Sequence, residues 1–208
     1  MNRILLSGFF AVCLVVGYLL SPAPCHAGEP TDQVQTMLKE VMAVQVDPQL
    51  QGNSFRGKRR ELIKKIIAKN FEFDQMAEGA LRSYWKELDE KQRAAFKDIF
   101  RDLFQDSYTR LVLDFLKEEK ILYNGEEAQQ QGTMVKTVIF RPQEQIPVDY
   151  ILTPEKARWL VRDVRIDGVS IVENYQKSFA RVIKRESYSA LLEKMRLQQQ
   201  AIAAEKTP

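Results

Sequence analysis

Apolar residues recur at helical spacing through the first half of this chain, at alternate positions after residue 120, and at helical spacing again near the end. Over residues 31 to about 47, Val34, Leu38 and Val41 share a face, with Met37 and Val44 beside them, and Pro48 ends the run. A second helix over 58 to about 70 carries Leu62, Ile63, Ile66 and Ile67 on one face and Arg59, Arg60, Lys64, Lys65 and Lys69 on the other. Asp74 is the expected N-cap of a short third helix ending at Leu81. Asp89-Glu90-Lys91-Gln92 reads as a capping box that opens a long helix reaching about Lys117. Its stripe includes Phe96, Phe100, Phe104, Tyr108, Leu111, Val112 and Phe115, and its length predicts a bend near Asp106.

The period then changes. Residues 120–123 read as a strand stopped by the turn pair Asn124-Gly125, and 133–140 are rich in β-branched residues. Over 145–152, Ile146, Val148, Tyr150 and Leu152 alternate on one face. Thr153-Pro154-Glu155-Lys156 is the expected turn into a last strand over 158–166. Four strands joined by short loops imply an antiparallel meander. Ser170 and Glu173 form a second capping-box pattern, and Ser187 is placed to cap a final helix bearing Leu191, Leu192 and Met195, with the chain fraying from about residue 198. The class is therefore α+β: a curved four-stranded antiparallel sheet, over about 120–167, wrapped by helices over about 28–118 and 170–204.

Composition narrows the chemistry. Arg3, the apolar run from Ile4 to Leu20 and the small-residue site at Cys25-His26-Ala27 predict a secretory signal peptide over 1–27. Its removal leaves 208 − 27 = 181 residues, 28–208, as one domain. Cys13, Cys25 and His26 are the chain's whole complement of cysteine and histidine and all lie in that leader. A chain without them excludes disulfides, Cys-His and Ser-His-Asp catalysis, and zinc sites built on Cys or His. The net charge of 31 − 28 = +3 is too small to indicate nucleic acid, and no glycine-rich phosphate loop is present.

Asp163 is the acid that stands out. Strand alternation from Trp159 and Val161 puts it on the core side, where it could act as a base opposite Tyr150 or could clamp the corner formed with Gly168 and Ser170. The aromatic stripe of the long helix is open to two readings as well, a filled core or one wall of an apolar pocket.

Two segments resemble a known family. Residues 71–111 show Phe73-Asp74 with Leu81, then Trp85, Gln92-Arg93 with Phe96 and Phe100, and Tyr108. Residues 159–179 show Trp159, Val161, Asp163, Gly168-Val169-Ser170, Asn174-Tyr175 and Phe179. Both patterns are similar to those of the MlaC/toluene-tolerance (Ttg2-type) family of periplasmic phospholipid-binding proteins, with Arg162 and Arg165 as departures. The resemblance implies a fold like nuclear transport factor 2, with a lipid cavity between sheet and helices. It also implies a non-catalytic shuttle with no cofactor besides bound phospholipid, a hopanoid being a further candidate ligand. The partners implied are an inner-membrane ABC transporter complex and an outer-membrane lipoprotein–porin complex. On this view the lining residues are Phe104, Tyr108, Leu111, Val112 and Phe115 from the helix, and Val135, Ile139, Val148, Tyr150, Trp159 and Val161 from the sheet. Asp163, Gly168 and Ser170 form the structural corner. A small isomerase or hydratase using Asp163 and Tyr150, and an adaptor for exported polypeptides, are the alternatives.

Overall fold

A computed structural model describes residues 30–204. The leader expected over 1–27 lies outside the described residues. Three helices precede the sheet: α1 (Pro30–Val46), α2 (Arg56–Asn70) and α3 (Phe73–Leu81), followed by the long α4 (Glu90–Phe115). Strands β1 (Lys120–Gln129), β2 (Gly132–Arg141), β3 (Glu144–Glu155), β4 (Arg158–Ile166) and the short β5 (Val169–Ser170) then pair antiparallel in chain order. Helices α5 (Ile171–Arg185) and α6 (Tyr188–Ala204) complete the chain. The sheet has five strands where four were expected, because the Asp167-Gly168 turn folds Val169 and Ser170 back onto Ile166 and Arg165.

The capping box of α4 forms as the sequence predicts: Asp89 accepts from the Gln92 amide and the Gln92 side chain accepts from Asp89 N–H. The helix shows no break at Asp106. That carboxylate is buried and pairs with Lys64 of α2 at 3.0 Å, so it ties two helices together instead of interrupting one. Asp74 lies inside the first turn of α3, whose N-cap is Glu72, and pairs with Lys97 of α4 at 2.6 Å. Helix α6 continues through the glutamine run that was expected to fray, where Gln199 donates to Asp102 of α4 at 2.7 Å.

Two irregularities shape the sheet. Asn124 and Gly125 are a bulge within β1, not a turn, since pairing resumes from Glu126 to Gln129. The bulge bends the edge strand around the start of α1, where Glu126 accepts from the Thr31 amide at 2.9 Å and its hydroxyl at 2.6 Å, a carboxylate well placed at a helix N-terminus. The β1–β2 hairpin closes instead at Gly132, where a Cβ would stand 1.9 Å from the Leu152 carbonyl oxygen. Strand β3 runs through Thr153-Pro154-Glu155, and the turn falls one step later, at Lys156-Ala157.

The second bulge decides the role of Asp163. Ile151 pairs with Asp163 and Leu152 with Val161, which leaves Arg162 as the extra residue. Alternation resets there. Val161 and Val164 both turn to the face of Leu152 and Tyr150, while Asp163 shares the opposite face with Ile151. Asp163 therefore does not lie on the side of Val161 that simple alternation assigns. Its Oδ1 accepts from the amides of Val164 (2.9 Å) and Val172 (3.1 Å), and its Oδ2 accepts from the Ser170 hydroxyl (2.6 Å). Ser170 Oγ in turn accepts from the Glu173 amide as N-cap of α5. Burial pushes the Asp163 carboxyl up, and its three donors pull it back down.

Inside, α4 meets an aromatic cluster in which Phe71, Phe73, Phe96, Phe100, Phe104, Tyr175 and Phe179 lie in mutual contact. The α2–α3 junction joins the sheet there, with Phe71 bridging Val161 and the Glu72 amide donating to the Val161 carbonyl at 2.8 Å.

Replacing Asp163 tests the clamp. Asp163→Ala leaves two amides and a hydroxyl without their acceptor and is expected to cost about 2–4 kcal/mol, from roughly 1–3 kcal/mol for each unsatisfied buried group with some relief from water. Asp163→Asn keeps one acceptor oxygen and should cost less than the alanine variant. Urea titration of the three proteins checks the order, and equal stability of Asp163→Ala and wild type would sink the clamp.

Candidate functional site

Between α4 and the concave face of the sheet lies an apolar cavity of about 270 Å³. Helix α4 supplies Tyr108, Leu111, Val112 and Phe115, with Leu116 just beyond it; the sheet supplies Ile139, Ile146, Val148, Tyr150 and Ile166. Met37, Leu38 and Val41 of α1 and Ile67 of α2 close the remaining side. All fourteen lining residues are aliphatic or aromatic, and their sole polar side-chain atoms are the two tyrosine hydroxyls.

The register explains this shape. Ile139 faces Ile146, and Ile146, Val148 and Tyr150 follow one another on the inward face of β3. Along α4 the lining runs from Tyr108 to Leu116. Four strand residues and eight helix residues each span about 12–13 Å, so both walls have the same depth. Phe115 is half exposed and marks the mouth. Tyr108 and Tyr150 lie at the inner end, buried and hydrogen-bonded to each other.

This placement sorts the expected site residues. Tyr108, Leu111, Val112, Phe115, Ile139, Val148 and Tyr150 line the cavity. Phe104, Val135, Trp159 and Val161 do not, because all four lie past the tyrosine pair, where the space is filled. Phe104 stacks on Tyr108 at 5.5 Å and meets Phe73 edge-on at 5.9 Å. Val135 pairs with Tyr150 and is fully buried in core. Val161 is covered by Phe71. Trp159 pairs with Pro154 at the far end of β4, its indole Nε1 buried without a hydrogen-bond partner. The α1 residues and Ile67 were legible as apolar helix faces, but nothing in their spacing said that they meet a cavity instead of core. Ile146 carried a clearer signal, as the next inward residue in line with Val148 and Tyr150.

The two phenols decide what chemistry the site offers. Burial holds Tyr108 up at about 12, partly offset by its bond to Tyr150, and burial pushes Tyr150 well above its ordinary value. Both stay neutral across physiological pH. The acid–base pair weighed for an enzyme does not assemble either, since Asp163 and Tyr150 lie on opposite faces of the sheet. Among the described residues there is no group of three or more His, Cys, Asp or Glu that could hold a metal ion, and no helix long and apolar enough to cross a membrane. The arrangement offers an enclosed apolar surface with one open end.

Comparison with solved structures gives a match to the phospholipid-binding protein from Ralstonia solanacearum, determined in complex with a phospholipid. The TM-score is 0.72 at 21% identity, over 85% of this chain and 99% of that one. At that identity the likeness establishes a shared fold. Comparison with curated proteins gives no match. The family model described as MlaC protein matches residues 35–197, which is most of the 208-residue sequence and includes both segments singled out above. The chain belongs to the MlaC family.

Proposed function

We propose that this chain is a periplasmic phospholipid carrier. Its leader over 1–27 is removed on export, and the single domain over 28–208 holds lipid tails in the cavity between α4 and the sheet. It shuttles lipid between an inner-membrane ABC transporter complex and an outer-membrane lipoprotein–porin complex. The observation that carries this reading is the cavity, apolar throughout and open beside Phe115. Family membership and the shared fold with a protein solved around a phospholipid support it.

The energetics suit a carrier. Exposing one methylene to water costs about 0.8 kcal/mol, so a sixteen-carbon tail costs roughly 13 kcal/mol bare. A tail moving from bilayer to cavity passes from one apolar surrounding to another, and exchange can stay close to neutral. The wall needs no catalytic group, and the two neutral phenols supply none.

Mass spectrometry of organic extract from purified protein should find phospholipid, a hopanoid being the other apolar class to look for. A clean extract would count heavily against a carrier. Leu111→Trp and Val112→Trp place an indole in the cavity. Both should lower co-purified lipid several-fold with an unchanged far-ultraviolet circular dichroism spectrum, and full loading in both would refute this lining.

The phenols also predict a pH dependence. Tyr108 titrates at 10.0 when unfolded and at about 12 when folded, so between those values the folded state keeps a proton that the unfolded chain has released. Stability from this group is complete below pH 10.0 and is lost as pH rises towards about 12. Tyr108→Phe should flatten the alkaline loss by up to roughly 1.4 kcal/mol per pH unit. Denaturant midpoints across that range measure it, and an unaltered slope would mean that Tyr108 is not buried as described.

A further inference from the structure

We infer that residues 115–119 form a strap across the cavity mouth and that Arg141 is the tie that releases it. The inference rests on the carrier reading and concerns how a tail gets in.

The cavity as it stands is too small for its load. An apolar cavity of about 150 Å³ takes one benzene, so about 270 Å³ takes on the order of ten carbons, less than one full tail. Something must yield. The inner end is fixed by the aromatic cluster and the sheet wall by its ladder of hydrogen bonds. The mouth is different. Helix α4 stops at Phe115, and residues 116–119 have no regular structure before β1 begins at Lys120.

Two side chains hold this segment, and they differ in kind. Gln45 of α1 is neutral and buried, and its Nε2 donates to the carbonyls of Val112 (3.3 Å), Leu113 (3.2 Å) and Leu116 (2.6 Å). It fixes the last turn of α4. Arg141, at the end of β2, grips the strap from the water side. Its Nη2 donates to the Phe115 carbonyl at 2.7 Å, and its guanidinium lies over the Phe115 ring, 5.0 Å from the centroid. Two carboxylates share the same guanidinium: Glu119, on the strap itself, at 3.6 Å and Glu144, across the hairpin, at 3.3 Å. Phe115 is at once a lining residue and 50% exposed, so the ring under Arg141 is the part of the wall that faces solvent. A charged tie at the water boundary can be loosened by ions, whereas the amide tie in the core cannot. Releasing Arg141 frees Phe115 and Glu119 together while Gln45 keeps the helix in place.

The test follows tail uptake from vesicles of phosphatidylethanolamine and phosphatidylglycerol carrying a pyrene-labelled phospholipid, with amide hydrogen exchange over residues 115–119 measured alongside. Arg141→Ala should exchange lipid about five- to tenfold faster, the factor for losing roughly one charge-assisted hydrogen bond, and should speed amide exchange across the strap. About 0.5 M salt should quicken the wild type and leave Arg141→Ala unmoved. Arg141→Lys keeps the charge but loses the fork and the stacking, and should fall between them. It also decides the question if the alanine variant does not fold. Lipid exchange at the wild-type rate in either folded variant overturns the strap and leaves the carrier standing, even if amide exchange has quickened. A wild-type protein that takes up no lipid at all overturns the carrier reading and the strap with it.

Discussion

An unfilled apolar cavity works against folding, and the rest of this structure is arranged to withstand it. At about 24 cal/mol per Å³, a cavity of about 270 Å³ costs roughly 6 kcal/mol, comparable to the whole net stability of an ordinary domain. Helix α4 must stand off the sheet without collapsing onto it. The aromatic cluster fixes one end of the helix, and Gln45 holds the other through three carbonyls. Between these points Lys64 and Asp106 bind α4 to α2. Each anchor lies to one side of the cavity, so the span between them stays open.

The corner at Asp163 serves the same end from the sheet side. A carboxylate that accepts from two amides and a hydroxyl fixes the exit of β4 and the start of α5. Helix α5 then delivers Tyr175 and Phe179 to the aromatic cluster, which seats the inner end of α4. The polar clamp and the apolar cluster are thus joined through one short helix.

Much of this could be read in advance, and the failures share a cause. Periodicity placed the capping box of α4, the inward face of β3 and the bounds of β4. It could not say where along α4 the surroundings change from filled to open. A helix of 26 residues is about 39 Å long, and one stripe serves both Phe104 in the cluster and Phe115 at the mouth. Alternation likewise assumes an unbroken ladder. One extra residue, Arg162, moved Asp163 to the other face, and Asn124-Gly125 carried the chemistry of a turn into a bulge. The contribution of α1 to the wall lay in tertiary packing, which an apolar helix face does not specify.

The tyrosine pair sets what the cavity can distinguish. The two hydroxyls at the inner end are bonded to each other and the wall around them is hydrocarbon. An oxidised or hydroxylated chain end pushed to that depth would have to break into the pair or bury its oxygen unmatched, at about 1–3 kcal/mol. An intact hydrocarbon end meets no such penalty. The pocket has no means of reading a tail's identity beyond bulk and saturation, yet it would reject damaged tails by tenfold or more, a filter that comes from two phenols having no spare bond to offer.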